Sequence, residues 1–187
     1  MICQDGFITS HAVENIELLE DADVKNFVGE YEPEDYLLNP ECPMAVGPYS
    51  ITDYYMEAKR NQAEGTRNVS RVVKEVAEDF EKLSGRKYGL FEEYRMEDAE
   101  RVVVIIGSAA GTTKDAVDRL REQGEKVGLI KIRLFRPFPA DEIAEALKKC
   151  QGNRDHGPCR ELYKSRWPTW SRCDVCIIPC KKPGTRN

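Results

Sequence analysis

The stretch RVVVIIGSAAGTTKDAVDRLREQGEKVGLIKIRLFRPF, residues 101–138, decides the fold. Val102 to Gly107 is a short run of mostly β-branched residues, which predicts a strand buried on both faces. Helical spacing follows near Thr113 to Gln123, and Lys126 to Leu134 predicts a second strand that must end before Pro137. A strand–helix–strand order is typical of two parallel strands joined by a right-handed crossover.

Two further helices are expected around this unit. One lies near Ala140 to Lys149, and the other precedes the unit and stops at Ser84 and Gly85, since glycine is favoured just past a helix end. Together these elements predict an α/β fold, a three-layer sandwich with a mostly parallel sheet, which the preceding helix would cover. The apolar stripe of that helix has spacings of three and four; it comprises Val69, Val72, Val73, Val76, Ala77, Phe80 and Leu83.

The composition limits the possible functions. The chain has 187 residues, of which 41% are apolar and 33% charged, and its formal net charge is -5. These values indicate a globular protein and give no support for nucleic-acid binding through bulk charge. Because no apolar run reaches the length of a membrane span, we expect a cytoplasmic protein without membrane contact.

Residues 1–19 begin abruptly, because IleCysGln resembles the end of a strand with nothing before it. The chain is therefore interpreted as a fragment. Ser10 is placed to cap a short helix that carries His11. His11 could be a proton carrier or a ligand, but the absence of a partner at ligand spacing favours a structural role.

Residues 20–65 are interpreted as an extended linker followed by a short helix. Residues 20–48 are acidic and rich in proline, without apolar periodicity, and so long a linker is expected to wrap another domain or subunit. Tyr31, Tyr36 and Tyr49 are either anchors at that interface or ordinary packing residues. The helix is predicted over Asp53 to Glu64, closed by Gly65.

The turn at residues 107–113, GSAAGTT, is the candidate binding site of the central unit. A glycine turn before a helix presents free backbone donors and the positive end of the helix dipole, which suits a phosphate or carboxylate. The candidate residues for this anion site are Ser108, Gly111 and Thr112. The alternative is that Thr112 or Thr113 simply caps the helix. The spacing matches neither a dinucleotide fingerprint nor a P-loop.

Four motifs, in this order, resemble the α subunit of pyruvate:ferredoxin oxidoreductase. They are DGFITSH at residues 5–11, YYMEAKR at 54–60, DAERVVVIIGS at 98–108 and GEKVGLIKIRLFRPFP at 124–139. The resemblance extends from Met1 to about Lys149. It implies a pyruvate synthase of several subunits, which cleaves a 2-oxoacid with thiamine diphosphate and magnesium, passes electrons through iron-sulfur clusters to ferredoxin and forms an acyl-CoA.

The same resemblance implies a division of the chain. Residues 1–19 would be the end of a pyrimidine-binding domain, residues 20–65 the linker and short helix, and residues 66–149 a domain similar to the carboxyl-terminal domain of transketolase. The family residues that contact thiamine diphosphate lie mainly elsewhere in the assembly, so no catalytic residue is assigned here. This chain is then expected to supply structural and interface elements for the β, γ and δ subunits, and to be inactive alone.

Residues 150–187 have a different character, without apolar periodicity and with both tryptophans. Permitted codons for Gln151 onward, read from the second nucleotide, encode REIGIMDRAESFTNPVGPLG, which resembles the family's continuation. We therefore hypothesise that a frameshift produced this atypical tail. Loss of the family's next strand would uncover apolar sheet surface, so the protein is expected to be less stable or to associate with itself.

The tail contains the candidate metal ligands Cys173, Cys176 and Cys180, with the spacing CxxCxxxC. Thiolates at this spacing can converge on zinc or on an iron-sulfur cluster, with Cys150, Cys159 or His156 as a fourth ligand. A shifted reading frame would also produce cysteines by accident, and this favours the interpretation that they bind no metal.

Two other functions remain open from the sequence. The first is a non-catalytic interaction module that binds a partner through the acidic linker and a sheet edge. The second is a subunit of a related ferredoxin oxidoreductase that acts on a branched-chain 2-oxoacid.

Overall fold

A computed structural model describes residues 2–6, 8–13, 15–44, 46, 47, 49 and 51–148, and the backbone of 175–179. The hypotheses about the rest of the tail lie outside these residues. The helices are α1 (Ile8–His11), α2 (Asp21–Val28), α3 (Tyr55–Thr66), α4 (Val69–Ser84), α5 (Ala109–Glu122) and α6 (Ala140–Lys148), and the strands are β1 (Phe91–Tyr94), β2 (Arg101–Ile106), β3 (Val127–Ile132) and β4 (Val175–Pro179).

The predicted strand–helix–strand unit is confirmed. Strands β2 and β3 are parallel neighbours, with Val103 opposite Leu129, and α5 connects them. Helix α5 starts at Ala109, four residues earlier than predicted. Strand β3 ends at Ile132 and not at Leu134, because the amides of Arg133 and Leu134 both donate to the carbonyl oxygen of Leu90, at 3.0 and 2.8 Å.

The sheet is mixed, so the prediction of a mostly parallel sheet is wrong. Its strand order is β1-β3-β2-β4, and both outer strands run antiparallel to their neighbours. Strand β1 was not predicted, because Phe91 to Tyr94 contains two adjacent glutamates and no clear alternation of apolar and polar residues. Strand β4 lies on the edge of β2, where Cys176 is opposite Val104.

The core has two layers of side chains, one on each face of the sheet, because successive strand residues point to opposite faces. On one face β2 and β3 pack against α5, and on the other they pack against α6. The α5 layer contains Val103, Ile105, Ala110, Val117, Val127 and Leu129; the α6 layer contains Val102, Val104, Ile130, Ile132, Ile143, Ala146 and Leu147 together with Met96 and Ala99.

Helix α4 has the predicted stripe but not the predicted position. Neither core layer includes one of its side chains, and within the described residues none of its residues is buried. Val72 and Val76 remain 42% and 50% exposed along an apolar groove that Phe80 and Tyr88 complete. Lys74 forms a 3.0 Å ion pair with Glu142 of α6. The expectation that α4 covers the sheet is therefore wrong.

The end of α4 follows the prediction. Gly85 has φ 68°, in the left-handed region, and its amide donates to the carbonyl of Glu81 at 2.8 Å. A glycine is favoured there because a Cβ atom would strain this conformation.

The secondary structure of the segment before α4 differs from the prediction in three places. Residues 21–28 of the expected linker form α2, and Gly65 lies inside α3 instead of closing it. Residues 2–5 form no strand. Tyr31 and Tyr49 are 88% and 91% exposed, so neither packs substantially against this chain.

Among the helices described, none combines the length and the hydropathy that a membrane span requires.

Candidate functional site

The candidate site lies at the carboxyl end of β2, where ligands often bind in α/β proteins. Gly107 adopts φ 81°, a conformation that glycine tolerates, and Ser108 follows as the N-cap residue of α5. Only Gly107 and Ser108 separate β2 from α5, so Ser108 lies at the carboxyl end of β2.

Asp5 meets this turn from the other end of the chain. The hydroxyl of Ser108 donates a 2.6 Å hydrogen bond to Oδ2 of Asp5, and the hydroxyl of Thr9 donates to Oδ1 at 2.9 Å. These two bonds lower the pKa of Asp5 to about 2, the Ser108 bond being the stronger cause. The carboxylate therefore stays ionised and joins α1 to the start of α5.

The arrangement argues against an anion site at Ser108, Gly111 and Thr112. The amides of Ala110 and Gly111 donate to the carbonyls of Gly107 and Ser108, at 3.4 and 3.1 Å. Thr112 is exposed on the next turn of α5. A carboxylate already lies at this helix end, where the dipole favours negative charge, and it would repel a second anion.

The alternative that Thr112 or Thr113 caps α5 is wrong. The helix begins at Ala109, and Thr113 donates back to the Ala109 carbonyl at 2.8 Å from inside it. Ser108 holds the N-cap position, although its hydroxyl bonds to Asp5 instead of a helix amide.

His11 is exposed at the end of α1, and its Nδ1 lies 2.7 Å from the hydroxyl of Ser10. Ser10 is inside α1, so the prediction that it caps this helix is wrong. Within the described residues, no three His, Cys, Asp or Glu side chains are grouped as metal ligands. Cys173 and Cys180 lie outside those residues, and only the backbone of Cys176 is described.

No sequence motif predicts the half-buried ion cluster that lies between β1, the end of β3 and α5. Glu92 receives hydrogen bonds from Lys114 and, at 2.8 Å, from Arg133. Burial by itself raises the pKa of Glu92, but the bond from Lys114 and the positive charges of Lys114 and Arg133 outweigh it, so the pKa lies below its ordinary value. The three residues are distant in sequence, so only the fold brings them together.

A second cluster of polar side chains lies further along α5. Tyr94 donates a 2.6 Å hydrogen bond to Asp118, which also pairs with Arg95 at 3.3 Å. Arg121 donates to the carbonyls of Val127 and Arg95, at 2.7 and 2.6 Å. These contacts tie α5 to the strands. Their partners are all satisfied within the chain, which indicates a structural role.

Comparison with known proteins adds two family matches. Residues 99–153 match the model described as pyruvate:ferredoxin oxidoreductase core domain II. Residues 1–78 match the model described as pyruvate flavodoxin/ferredoxin oxidoreductase, thiamine diphosphate-binding.

Individual relatives agree with these models. The chain is similar to pyruvate synthase subunit PorA of Thermotoga maritima, with 51% identity over 147 residues, and to that of Methanothermobacter thermautotrophicus, with 40% over 148 residues. It is also similar to the α subunit of NADH-dependent phenylglyoxylate dehydrogenase from Aromatoleum evansii, with 38% over 156 residues. Each alignment covers 79% of this chain but only 37–38% of the relative.

Proposed function

We propose, from the premise that this chain belongs to the pyruvate:ferredoxin oxidoreductase family, that it forms part of the α subunit of a pyruvate synthase. The assembled enzyme would oxidatively decarboxylate pyruvate to acetyl-CoA and pass the electrons to ferredoxin. The observation that carries this proposal is the 51% identity over 147 residues with a pyruvate synthase subunit.

We also propose the division of the chain into domains that the resemblance implies, with a structural role for most of the chain. Residues 66–149 would form the domain similar to the carboxyl-terminal domain of transketolase, with a three-layer sandwich. Helices α5 and α6 pack on opposite faces of the sheet, which agrees with such layers. Residues 1–19 would be the end of the pyrimidine-binding domain, and residues 20–65 the connection.

The described residues do not fit thiamine diphosphate and its magnesium ion. They contain no group of three or more His, Cys, Asp or Glu side chains that could hold the metal. The helix end that could face the diphosphate instead faces Asp5. We infer that the coenzyme, the magnesium and the iron-sulfur clusters bind elsewhere in the assembly, and that the β, γ and δ subunits and ferredoxin are the partners. A cytoplasmic location accompanies this proposal.

A chimera tests the proposal. Residues 1–149 would replace the matching segment of the Thermotoga maritima subunit, which is then assembled with the other subunits of that enzyme. Retained reduction of methyl viologen that depends on pyruvate and coenzyme A is expected. An assembled complex without this activity would count against the proposal, and the parent enzyme, assembled in parallel, is the control.

The chain alone should be inactive, because the described residues provide no coenzyme site. Purified chain with pyruvate, coenzyme A, thiamine diphosphate and magnesium should reduce no viologen. Reduction above a heat-treated sample would contradict this part of the proposal.

A related 2-oxoacid is the second candidate substrate, because the chain is 38% identical to a subunit of a phenylglyoxylate dehydrogenase. Offering pyruvate, a branched-chain 2-oxoacid and phenylglyoxylate in turn to the native complex that contains this chain would rank these substrates. If none of the other oxidoreductase subunits binds the chain, the alternative of an interaction module with a different partner gains support.

A further inference from the structure

The contact between Asp5 and Ser108 joins parts of the chain that are 103 residues apart. Asp5 lies in the segment matched by the thiamine diphosphate-binding model, and Ser108 lies in core domain II. The hydrogen bond therefore crosses from one matched region to the other.

Polar contacts of Asp5 help to hold the amino-terminal segment in place. Its flanking apolar residues Ile2 and Val13 are 92% and 100% exposed, so they contribute almost no burial. Asp5 uses one carboxylate oxygen for Thr9 of α1 and the other for Ser108. Bonds to an ionised carboxylate are stronger than those between neutral groups.

Ser108 lies where it can bind this carboxylate. Gly107, with φ 81°, forms the turn before α5, and Ser108 follows as the N-cap residue with its hydroxyl at the helix amino terminus. The positive end of the helix dipole there favours the negative charge of Asp5. Both the hydroxyl and the helix thus attract the same carboxylate.

We propose that Asp5 and Ser108 are a positioning pair that holds α1, with Thr9, Ser10 and His11, at the carboxyl edge of the parallel strands. In the complete subunit this pair would set how the coenzyme-binding region lies on core domain II, a role that rests on the proposed function. The role proposed for the pair is positioning and not catalysis.

Hydrogen exchange on the full chain tests the contact itself. The amide of Ala12 donates to the carbonyl of Ile8 at 3.0 Å and so reports on α1. Ser108→Ala should accelerate its exchange about threefold or more, and Ser108→Thr, which keeps a hydroxyl, should restore it. Thr113→Ala, which removes a hydroxyl bonded only to its own helix in the described contacts, is the matched control. Unchanged exchange in Ser108→Ala would overturn the proposal.

The assembled chimera tests the positioning role. Ser108→Ala and Asp5→Ala should each raise the thiamine diphosphate concentration for half-maximal rate about threefold or more, and the double variant should be no worse than either single one. Ser108→Thr should recover the original value. An active assembly whose half-maximal concentration is unchanged in both variants would overturn this role. An inactive parent chimera would instead refute the proposed function and leave the exchange result standing.

Discussion

Gly128 lies so close to Arg95 that a Cβ atom added to the glycine would be 2.9 Å from the Arg95 carbonyl oxygen. The same atom would be 2.9 Å from Sδ of Met96 and 3.0 Å from Cβ of Ala99. A side chain at position 128 would therefore force β3 or the loop before β2 to shift.

Gly128→Ala should lower the free energy of unfolding by about 1–3 kcal/mol, because buried backbone cannot move aside easily. Urea unfolding followed by circular dichroism would measure it. Gly111→Ala is the matched control: it lies inside α5 with open space around it, so it should be neutral or stabilising by about 0.5–1 kcal/mol. Equal stability of Gly128→Ala and the original chain would contradict the close packing.

Glu92→Gln should destabilise the chain by about 1–3 kcal/mol, because Lys114 and Arg133 would lose the carboxylate that both of them bind. Glu93→Gln is the matched control, since Glu93 is the exposed neighbour on the same strand. Thermal or urea unfolding at neutral pH would compare the two variants. If both lost the same stability, the ion cluster would have no special role.

The same carboxylate predicts an acid-dependent loss of stability. A group whose pKa is lowered on folding stabilises the protein fully above its ordinary value, 4.5 for Glu92, and loses that contribution as the pH falls through the lowered value. The free energy of unfolding, measured from pH 6 down to pH 2, should therefore decrease more steeply in the original chain than in Glu92→Gln. Hydrogen bonds from Arg121 and Lys74 lower the pKa values of Asp98 and Glu142. These two carboxylates are present in both proteins, so the stability of each should still decrease at low pH. Parallel curves would contradict the prediction.

The central unit could be predicted because its signals are local. The β-branched run of β2 and the apolar run of β3 have the composition of buried strands, and α5 lies between them at helical spacing. The glycine at position 85 likewise marked the end of α4.

The remaining features could not be predicted because they depend on contacts between distant residues. Strand β1 is ordered by pairing with β3, which Phe91 to Tyr94 alone does not reveal. The stripe of α4 predicts an apolar face but not what that face contacts. In the candidate site, the role of Ser108 changes because Asp5, 103 residues away, accepts its hydrogen bond.

The position of α4 predicts that two similar substitutions have different costs. Val117→Ala should cost about 2 kcal/mol, because Val117 of α5 is 1% exposed in the sheet layer. Val76→Ala, in α4, should cost about 0.5 kcal/mol or less, because Val76 is half exposed. Urea unfolding of both variants measures the difference, and equal costs would mean that α4 is buried.

Strand β4 covers one edge of β2. Strand β4 pairs antiparallel with β2 from Arg101 to Ile105, and its removal would leave backbone donors and acceptors of a central strand exposed. A chain ending at Lys148 should therefore associate with itself as concentration rises, or unfold more easily. A chain ending at Pro179 keeps β4 and is the control. Light scattering after size exclusion would measure the mass, and a stable monomer ending at Lys148 would show that β4 is not needed to protect this edge.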